Sequence, residues 1–223
     1  MKAQISEVFS SIQGEGMYLG EKQIFVRFFG CNLSCRFCDT PLRGFKEYEV
    51  GQLWEEIKSY RNNFHSISFT GGEPLLQNDF LKEILVFTRA AGHKNYLETN
   101  GTLFFHLKEV INDVDIVAMD IKLSSSTGMG NILWMHRKFL EIASAKEVFL
   151  KAIVCLSTTE EDLLGAITLI KEVNNQAVLV LQPNSFEYGK EMPEKLTGFR
   201  NLCRNEGVNV RVIPQIHKMM EIK

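Results

Sequence analysis

Three cysteines, Cys31, Cys35 and Cys38, crowd into one short stretch, Gly30-Cys31-Asn32-Leu33-Ser34-Cys35-Arg36-Phe37-Cys38-Asp39-Thr40. Three thiolates at these x3 and x2 spacings can wrap a small soft-metal centre. Two chemistries fit. A structural zinc closes with four ligands, and the nearest further candidate along the chain is His65. A 4Fe–4S cluster on three thiolates instead leaves one iron open to a substrate or cofactor. Cys155 and Cys203 stand singly in apolar or helical surroundings. An odd, clustered set of 5 cysteines in a chain read as cytosolic argues for metal or cluster ligation and against a disulfide framework.

The rest of the chain must position that loop. Of 223 residues, 45% are hydrophobic and 23% charged, the balance of an ordinary globular protein. This excludes a disordered, collagen-like or repeat-biased chain. Lys and Arg number 25 against 27 Asp and Glu, a net charge of −2, so nothing in the charge recruits nucleic acid or an anionic membrane. No apolar run reaches the roughly 18–20 residues of a membrane span. The start, Met1 to Glu7, lacks the apolar stretch of a secretory signal, and a cytoplasmic protein is expected. With no repeat or linker visible, one domain is read over 1–223: an amino-terminal extension over 1–23, a core over about 24–213 and a short tail over 214–223.

Within that core, strand and helix patterns alternate. Strands are expected over 24–29, 66–70, 95–99, 115–120, 148–154, 177–181 and 208–213, as β-branched or aromatic runs bounded by turn residues. Helices are expected between them. Leu53, Ile57 and Tyr60 mark the first by their i, i+4, i+7 spacing, and Leu81, Ile84, Leu85 and Thr88 the second, with Asn78 or Asp79 as N-cap. Further helices are read over 104–112 and 132–144, then around Leu163, Ile167 and Ile170 after a Thr158 or Thr159 cap, and last up to about 204. Repeated βα units give a parallel sheet with helices outside it. Polar residues follow one strand end after another: Thr70 and Glu73, Glu98 to Asn100, Asp120 and Lys122, Gln182, Gln215 and His217. Such ends converge on one face of a parallel barrel, so the expected fold is α/β, a partial (open) parallel β/α barrel.

These features resemble the radical S-adenosylmethionine superfamily. Its marks are Cys-x3-Cys-x2-Cys after the first strand, an aromatic before the last cysteine (here Phe37), and Gly71-Gly72-Glu73-Pro74 after the second strand. The resemblance implies a 4Fe–4S cluster on Cys31, Cys35 and Cys38, with the methionine moiety of S-adenosylmethionine on the open iron. One electron then cleaves the cofactor to a 5′-deoxyadenosyl radical. It also places Phe37, Asp39, Gly72, Glu73 and Asp120-Ile121-Lys122 around S-adenosylmethionine. Glu98 is assigned there as well, with a scaffold role as the alternative.

Upstream lies Phe9-Ser10-Ser11-Ile12-Gln13-Gly14-Glu15-Gly16, which alone is a glycine-rich turn and a poor dinucleotide fingerprint. Together with Phe25-Val26-Arg27-Phe28-x-Gly30-Cys31 and Cys38-Asp39-Thr40, it resembles the 7-carboxy-7-deazaguanine synthase family. Segments at Glu98-Thr99-Asn100-Gly101, Asp120-Ile121-Lys122, Gln182-Pro183 and Pro214-Gln215-x-His217-Lys218 extend the likeness over nearly the whole chain. The implied substrate is 6-carboxy-5,6,7,8-tetrahydropterin, contracted to 7-carboxy-7-deazaguanine with loss of ammonia after hydrogen abstraction at C6. By resemblance Ile12, Gln13, Gly14, Glu15, Arg27, Thr70, Gln182 and His217 bind it, and Thr40 ligates Mg²⁺. The radical is generated on S-adenosylmethionine, so no side chain is assigned a catalytic step. Implied partners are an electron donor such as flavodoxin or ferredoxin, and a second copy in a homodimer. For Arg27, a bidentate carboxylate anchor competes with an outward arginine paired to a surface acid.

Two other functions share parts of this pattern. A glycyl-radical-enzyme activase shares the three cysteines and the small barrel, but needs neither Gln13-Gly14-Glu15-Gly16 nor Thr40. A zinc- or cluster-bearing binding module needs only the thiols.

Overall fold

Nine strands form one sheet: β1 (Lys2–Ile12), β2 (Lys22–Phe28), β3 (Lys46–Glu49), β4 (Ser66–Gly71), β5 (Asn95–Thr99), β6 (Ile116–Asp120), β7 (Glu147–Val154), β8 (Val178–Pro183) and β9 (Val210–Val212). The structure is a computed structural model that describes residues 1–40, 44–60, 63–189 and 191–219, without the side chains of His217 and Met219. The strand order is β3-β1-β2-β4-β5-β6-β7-β8-β9. From β2 through β4 to β9 the pairing is parallel, and β1 runs antiparallel to both β2 and β3. Among the described residues β3 and β9 are unpaired edges, so the sheet is an open arc, as the βα alternation and the polar strand ends lead one to expect.

Helices fill the crossovers: α1 (Val50–Ser59), α2 (Asn78–Ala90), α3 (Phe104–Val110), α4 (Ser124–Thr127), α5 (Leu133–Ala143), α6 (Glu160–Val173) and α7 (Met192–Asn205), with α8 (Ile216–Met219) after the last strand. Alternation along each strand sends every second side chain to the helical layer. Phe28, Phe69, Leu97, Met119, Leu150 and Leu181 are buried there against Leu53, Ile57, Leu81, Phe139, Leu163 and Ile170 of the helices. The other face of the sheet is apolar only in part, where Tyr96, Ile116, Ala118, Phe149 and Val180 pack with Met17 and Tyr18. Further along the same strands it turns polar, with Arg27, Thr70, Glu98, Asp120 and Gln182. A sheet with one apolar layer and one polar rim leaves room for a ligand at the carboxyl ends of its strands.

Three local readings need correction. The extension over 1–23, to which no strand was assigned, contains the eleven-residue strand β1 over Lys2–Ile12. Its alternation breaks at an irregularity between Ile5 and Glu7, which hides the period-2 signal behind Ser6 and Glu7. β3 was invisible because Tyr48 alone of Lys46-Glu47-Tyr48-Glu49 is buried, as suits a charged edge strand. The α2 cap is Gln77 rather than Asn78 or Asp79, because a 3-10 turn over Pro74–Gln77 feeds the helix directly. Thr159 does cap α6, its hydroxyl accepting from the Asp162 N–H at 3.3 Å.

Gly71 holds φ +130°, and a Cβ there would sit 2.2 Å from the Phe28 carbonyl oxygen on the paired strand. Strain and backbone clash together lead us to expect Gly71→Ala to cost about 2–4 kcal/mol. Urea denaturation measures it, and a loss below about 0.5 kcal/mol, the scale of a neutral surface change, would show that the two strands do not pack this closely.

Candidate active site

The polar rim encloses a cavity of about 440 Å³. Register sets its walls. Arg27 lies opposite Thr70, Asp120 opposite Lys151, and Ile153 opposite Gln182 on neighbouring strands. The loop after β2 closes one side with Cys31, Cys35, Phe37, Cys38, Asp39 and Thr40, and Gln13 to Glu15 close another.

Backbone contact seats the cysteine loop. The Glu73 N–H donates to the Gly30 carbonyl at 2.9 Å, and the Gly72 N–H to that of Phe28 at 3.1 Å. A Cβ on Gly72 would lie 1.9 Å from the Gly30 oxygen, so only glycine permits this approach. On the loop's far side the Arg36 N–H donates to the Thr127 carbonyl of α4 at 3.0 Å. The Asn100 amide lies 3.8 Å from the Cys31 sulfur and 2.8 Å from the Asn32 oxygen. Burial raises the Cys31 and Cys35 thiols above their ordinary range. Bound metal reverses that preference, because ligation deprotonates a thiol outright.

Beside the loop a chain of charges crosses the cavity. Lys122 Nζ lies 5.4 Å from the Phe37 ring centre and 2.8 Å from Asp120 Oδ2. Lys151 Nζ lies 3.3 Å from Asp120 Oδ1 and 3.0 Å from Glu15 Oε2. Burial opposes charge on all three inner groups, yet their mutual attraction wins. Lys122 and Lys151 hold Asp120 below the usual carboxylate range, while Asp120, Glu15 and Glu98 hold Lys151 well above the usual lysine range. Glu15 continues through Gln215, whose amide donates to Glu15 Oε1 at 2.7 Å and to Asp39 Oδ2 at 3.0 Å. Lys218 pairs with Asp39.

A second network surrounds Glu98. It accepts from Gln13 Nε2 at 2.7 Å, Thr70 Oγ1 at 3.0 Å and Ser68 Oγ at 3.3 Å. Arg27 sits on this side, its Nε 3.7 Å from Glu7 and its guanidinium 5.7 Å from the Phe9 ring centre. Gln182 is fully buried at the wall, and neither its amide nitrogen nor its oxygen has a hydrogen-bond partner among the described residues.

A structural zinc closes with four ligands, whereas a cubane takes each of three thiolates on a different iron and leaves the fourth iron open. Cys31, Cys35 and Cys38 all line the cavity, a donor set that fits the cubane. The family model of the Radical SAM superfamily matches residues 25–183. A protein of Geobacter sulfurreducens named 7-carboxy-7-deazaguanine synthase is 38% identical, over 98% of this chain and 97% of its own. One of the same name from Methanothermobacter thermautotrophicus is 34% identical over 100% and 99%. The chain belongs to the 7-carboxy-7-deazaguanine synthase family of radical SAM proteins. The crystal structure of QueE from Escherichia coli shares its fold, with a TM-score of 0.67 and 18% identity over 95% of this chain and 94% of that one.

Radical SAM membership implies a 4Fe–4S cluster and S-adenosylmethionine, which replaces the zinc alternative, and the curated relatives favour the synthase over the activase. Seventeen of the residues singled out in the sequence line the cavity of this synthase-family chain: Ile12, Gln13, Gly14, Glu15, Arg27, Cys31, Cys35, Phe37, Cys38, Asp39, Thr40, Thr70, Gly72, Glu98, Asp120, Lys122 and Gln182. Glu73 and Ile121 stand behind the wall. Glu73 is fully buried and accepts from Thr99 Oγ1, Asn100 N and Leu75 N, and the Ile121 N–H donates to the Lys151 carbonyl at 2.7 Å. His217 belongs to α8, and its side chain lies outside the described residues.

Lys151 was missed. Its signal was there, as the one charged residue in the expected strand over 148–154. His136 was missed too. It is buried on α5, its Nε2 is 3.1 Å from the Asn100 carbonyl oxygen, and burial lowers the ring to about 4.

Burial pushes the Glu73 carboxyl up to about 7, against the donors that favour its charge. A raised folded value means that stability is fullest below the unfolded value, near 4.5, and falls as pH rises through about 7. We expect wild type to lose stability relative to Glu73→Gln between pH 5 and pH 8. Paired urea denaturation at the two pH values checks this, and a constant difference would place the Glu73 titration outside that window.

Proposed function

We propose that the chain contracts the ring of 6-carboxy-5,6,7,8-tetrahydropterin to 7-carboxy-7-deazaguanine with loss of ammonia. The observation that carries this reading is one cavity shared by the three-thiol loop and by Arg27, Gln13, Glu98 and Gln182. Cluster and S-adenosylmethionine, when bound, supply a carbon radical that takes hydrogen from an unactivated carbon. The protein's part is to bind, orient and keep water out.

Cys31, Cys35 and Cys38 hold the cluster, and Gly72 lets backbone approach the cofactor. Phe37, Asp39, Asp120 and Lys122 flank S-adenosylmethionine, with Glu73 and Ile121 acting from behind. Arg27 offers a planar fork to the pterin carboxylate. Gln182, with an unpartnered donor and acceptor at one buried spot, suits the donor–acceptor edge of a pyrimidinone ring, because a buried amide left unpaired costs free energy. Gln13, Glu15 and Thr70 complete that side, with the backbone of Ile12 and Gly14, and His217 is the remaining residue proposed to bind the pterin. Glu98, already held by three donors, orients the others.

Thr40 is the proposed Mg²⁺ ligand, since a hydroxyl oxygen suits a hard cation that keeps water and substrate oxygens. A small redox protein such as flavodoxin or ferredoxin is the proposed reductant, and a homodimer the proposed assembly. No helix among the described residues is long and apolar enough to cross a membrane. Free thiols at all five cysteines suit a cytoplasmic setting.

The reading is tested by anaerobic reconstitution with iron and sulfide, followed by reductant, S-adenosylmethionine, Mg²⁺ and the pterin. Mass spectrometry should find 7-carboxy-7-deazaguanine, and replacement of any of the three loop cysteines by alanine should abolish it. Cleavage of S-adenosylmethionine without that product would remove the proposed substrate. Arg27→Lys should raise KM for the pterin at least about tenfold, since an ammonium cannot make the bidentate contact; an unchanged KM would take Arg27 off the carboxylate. Chelation of Mg²⁺ should slow wild type several-fold and leave Thr40→Val, already slow, unaffected. Light scattering showing a monomer alone would end the dimer.

A further inference from the structure

Lys151 stands where the two ends of the cavity meet. Its ammonium donates a hydrogen bond to Glu15 Oε2 at 3.0 Å on one side and forms an ion pair with Asp120 Oδ1 at 3.3 Å on the other. Asp120 in turn pairs with Lys122, which lies over Phe37 of the cysteine loop. Glu15 leads the opposite way: its N–H donates to Gln13 Oε1 at 3.0 Å, and Gln13 donates to Glu98. The Lys151 side chain is only 7% exposed, so water does little to replace either partner. Cys35 and Lys122 face the chain at one end and Glu98 at the other.

We propose that Lys151 is a positioning residue that couples the cluster-facing end of the cavity to the Gln13–Glu98 end, so that a ligand bound at one raises affinity at the other. This rests on the reading of the cavity as a shared site for S-adenosylmethionine and a pterin. The physical basis is ordering. Asp120 and Glu15 share one buried cation, so a ligand that fixes either carboxylate fixes the ammonium, and the second ligand then meets a partner already in place. The coupling is reciprocal by thermodynamic necessity. Within β7, Lys151 pairs in register with Asp120 on β6 and Val180 on β8, so its backbone is held and the ordering concerns its side chain and the two carboxylates.

The test is equilibrium binding to the cluster-loaded, unreduced protein, in which no turnover occurs. Pterin affinity is measured with and without saturating S-adenosylmethionine, and the reverse titration is made as well. Wild type should show pterin binding about tenfold tighter with S-adenosylmethionine present, within the usual range of such couplings. Lys151→Met should reduce that ratio to below about twofold, and Lys151→Arg should keep most of it. A general structural defect would weaken each affinity and leave the ratio alone, so the ratio isolates the positioning role. If the methionine variant does not fold, Glu15→Gln breaks the same link from the other side and should show the same loss. A full ratio in either variant, or no coupling in a wild type that binds both ligands, overturns the inference. A wild type that binds S-adenosylmethionine but no pterin overturns the functional reading instead, and the inference with it.

Discussion

Everything at the active end depends on how closely two backbones meet. The turn after β4 must lie against the end of β2, and Gly71 and Gly72 remove the side chains that would keep them apart. That contact sets the cysteine loop along one side of the cavity, with Cys31 and Cys38 still exposed. It also directs Glu73 inward, where its carboxylate gathers Thr99, Asn100 and Leu75, so the ends of β4 and β5 are tied to the same point. The next strand end is reached at His136, whose Nε2 lies 3.1 Å from the Asn100 carbonyl oxygen and 3.3 Å from the Lys122 nitrogen and bonds one or the other according to its tautomer. Three successive strand ends are thus aligned before any ligand is considered.

Charge is the second constraint. The inner face could have been filled with apolar side chains, as it is around Tyr96 and Phe149. At the other end it holds buried ions whose burial is unfavourable unless each has its partner. Glu15, Lys151, Asp120 and Lys122 alternate in sign along one line, which solves that problem without water. The consequence is a wall whose charges are already paired with one another when a ligand arrives. Gln182 departs from this pattern, since its buried amide is without a hydrogen-bond partner among the described residues in the wall of the cavity.

Much of this was legible in the sequence, and particular residues show why. Strands such as 95–99 stood out because their β-branched and aromatic runs are bounded by turn residues. Cys31, Cys35 and Cys38 carried their chemistry in spacing alone, though spacing left zinc open and only the family resemblance closed it. β1 escaped because an irregularity and half-buried serines break its alternation, and β3 because an edge strand keeps its charges outward. The partners of Lys151 lie 136 residues away at Glu15 and on a different strand at Asp120. No local pattern can announce such a pairing, since it exists only once two strands and the N-terminal turn have come together.

The central claim is that one cavity holds cofactor and substrate side by side, and a crystal structure of the cluster-loaded protein with S-adenosylmethionine and 6-carboxytetrahydropterin tests it most directly. The account predicts a cluster held by three protein thiolates with S-adenosylmethionine on the fourth iron, and the pterin between Arg27 and Gln182. A fourth protein ligand on the cluster, or a pterin bound away from Arg27 and Gln182, would contradict it.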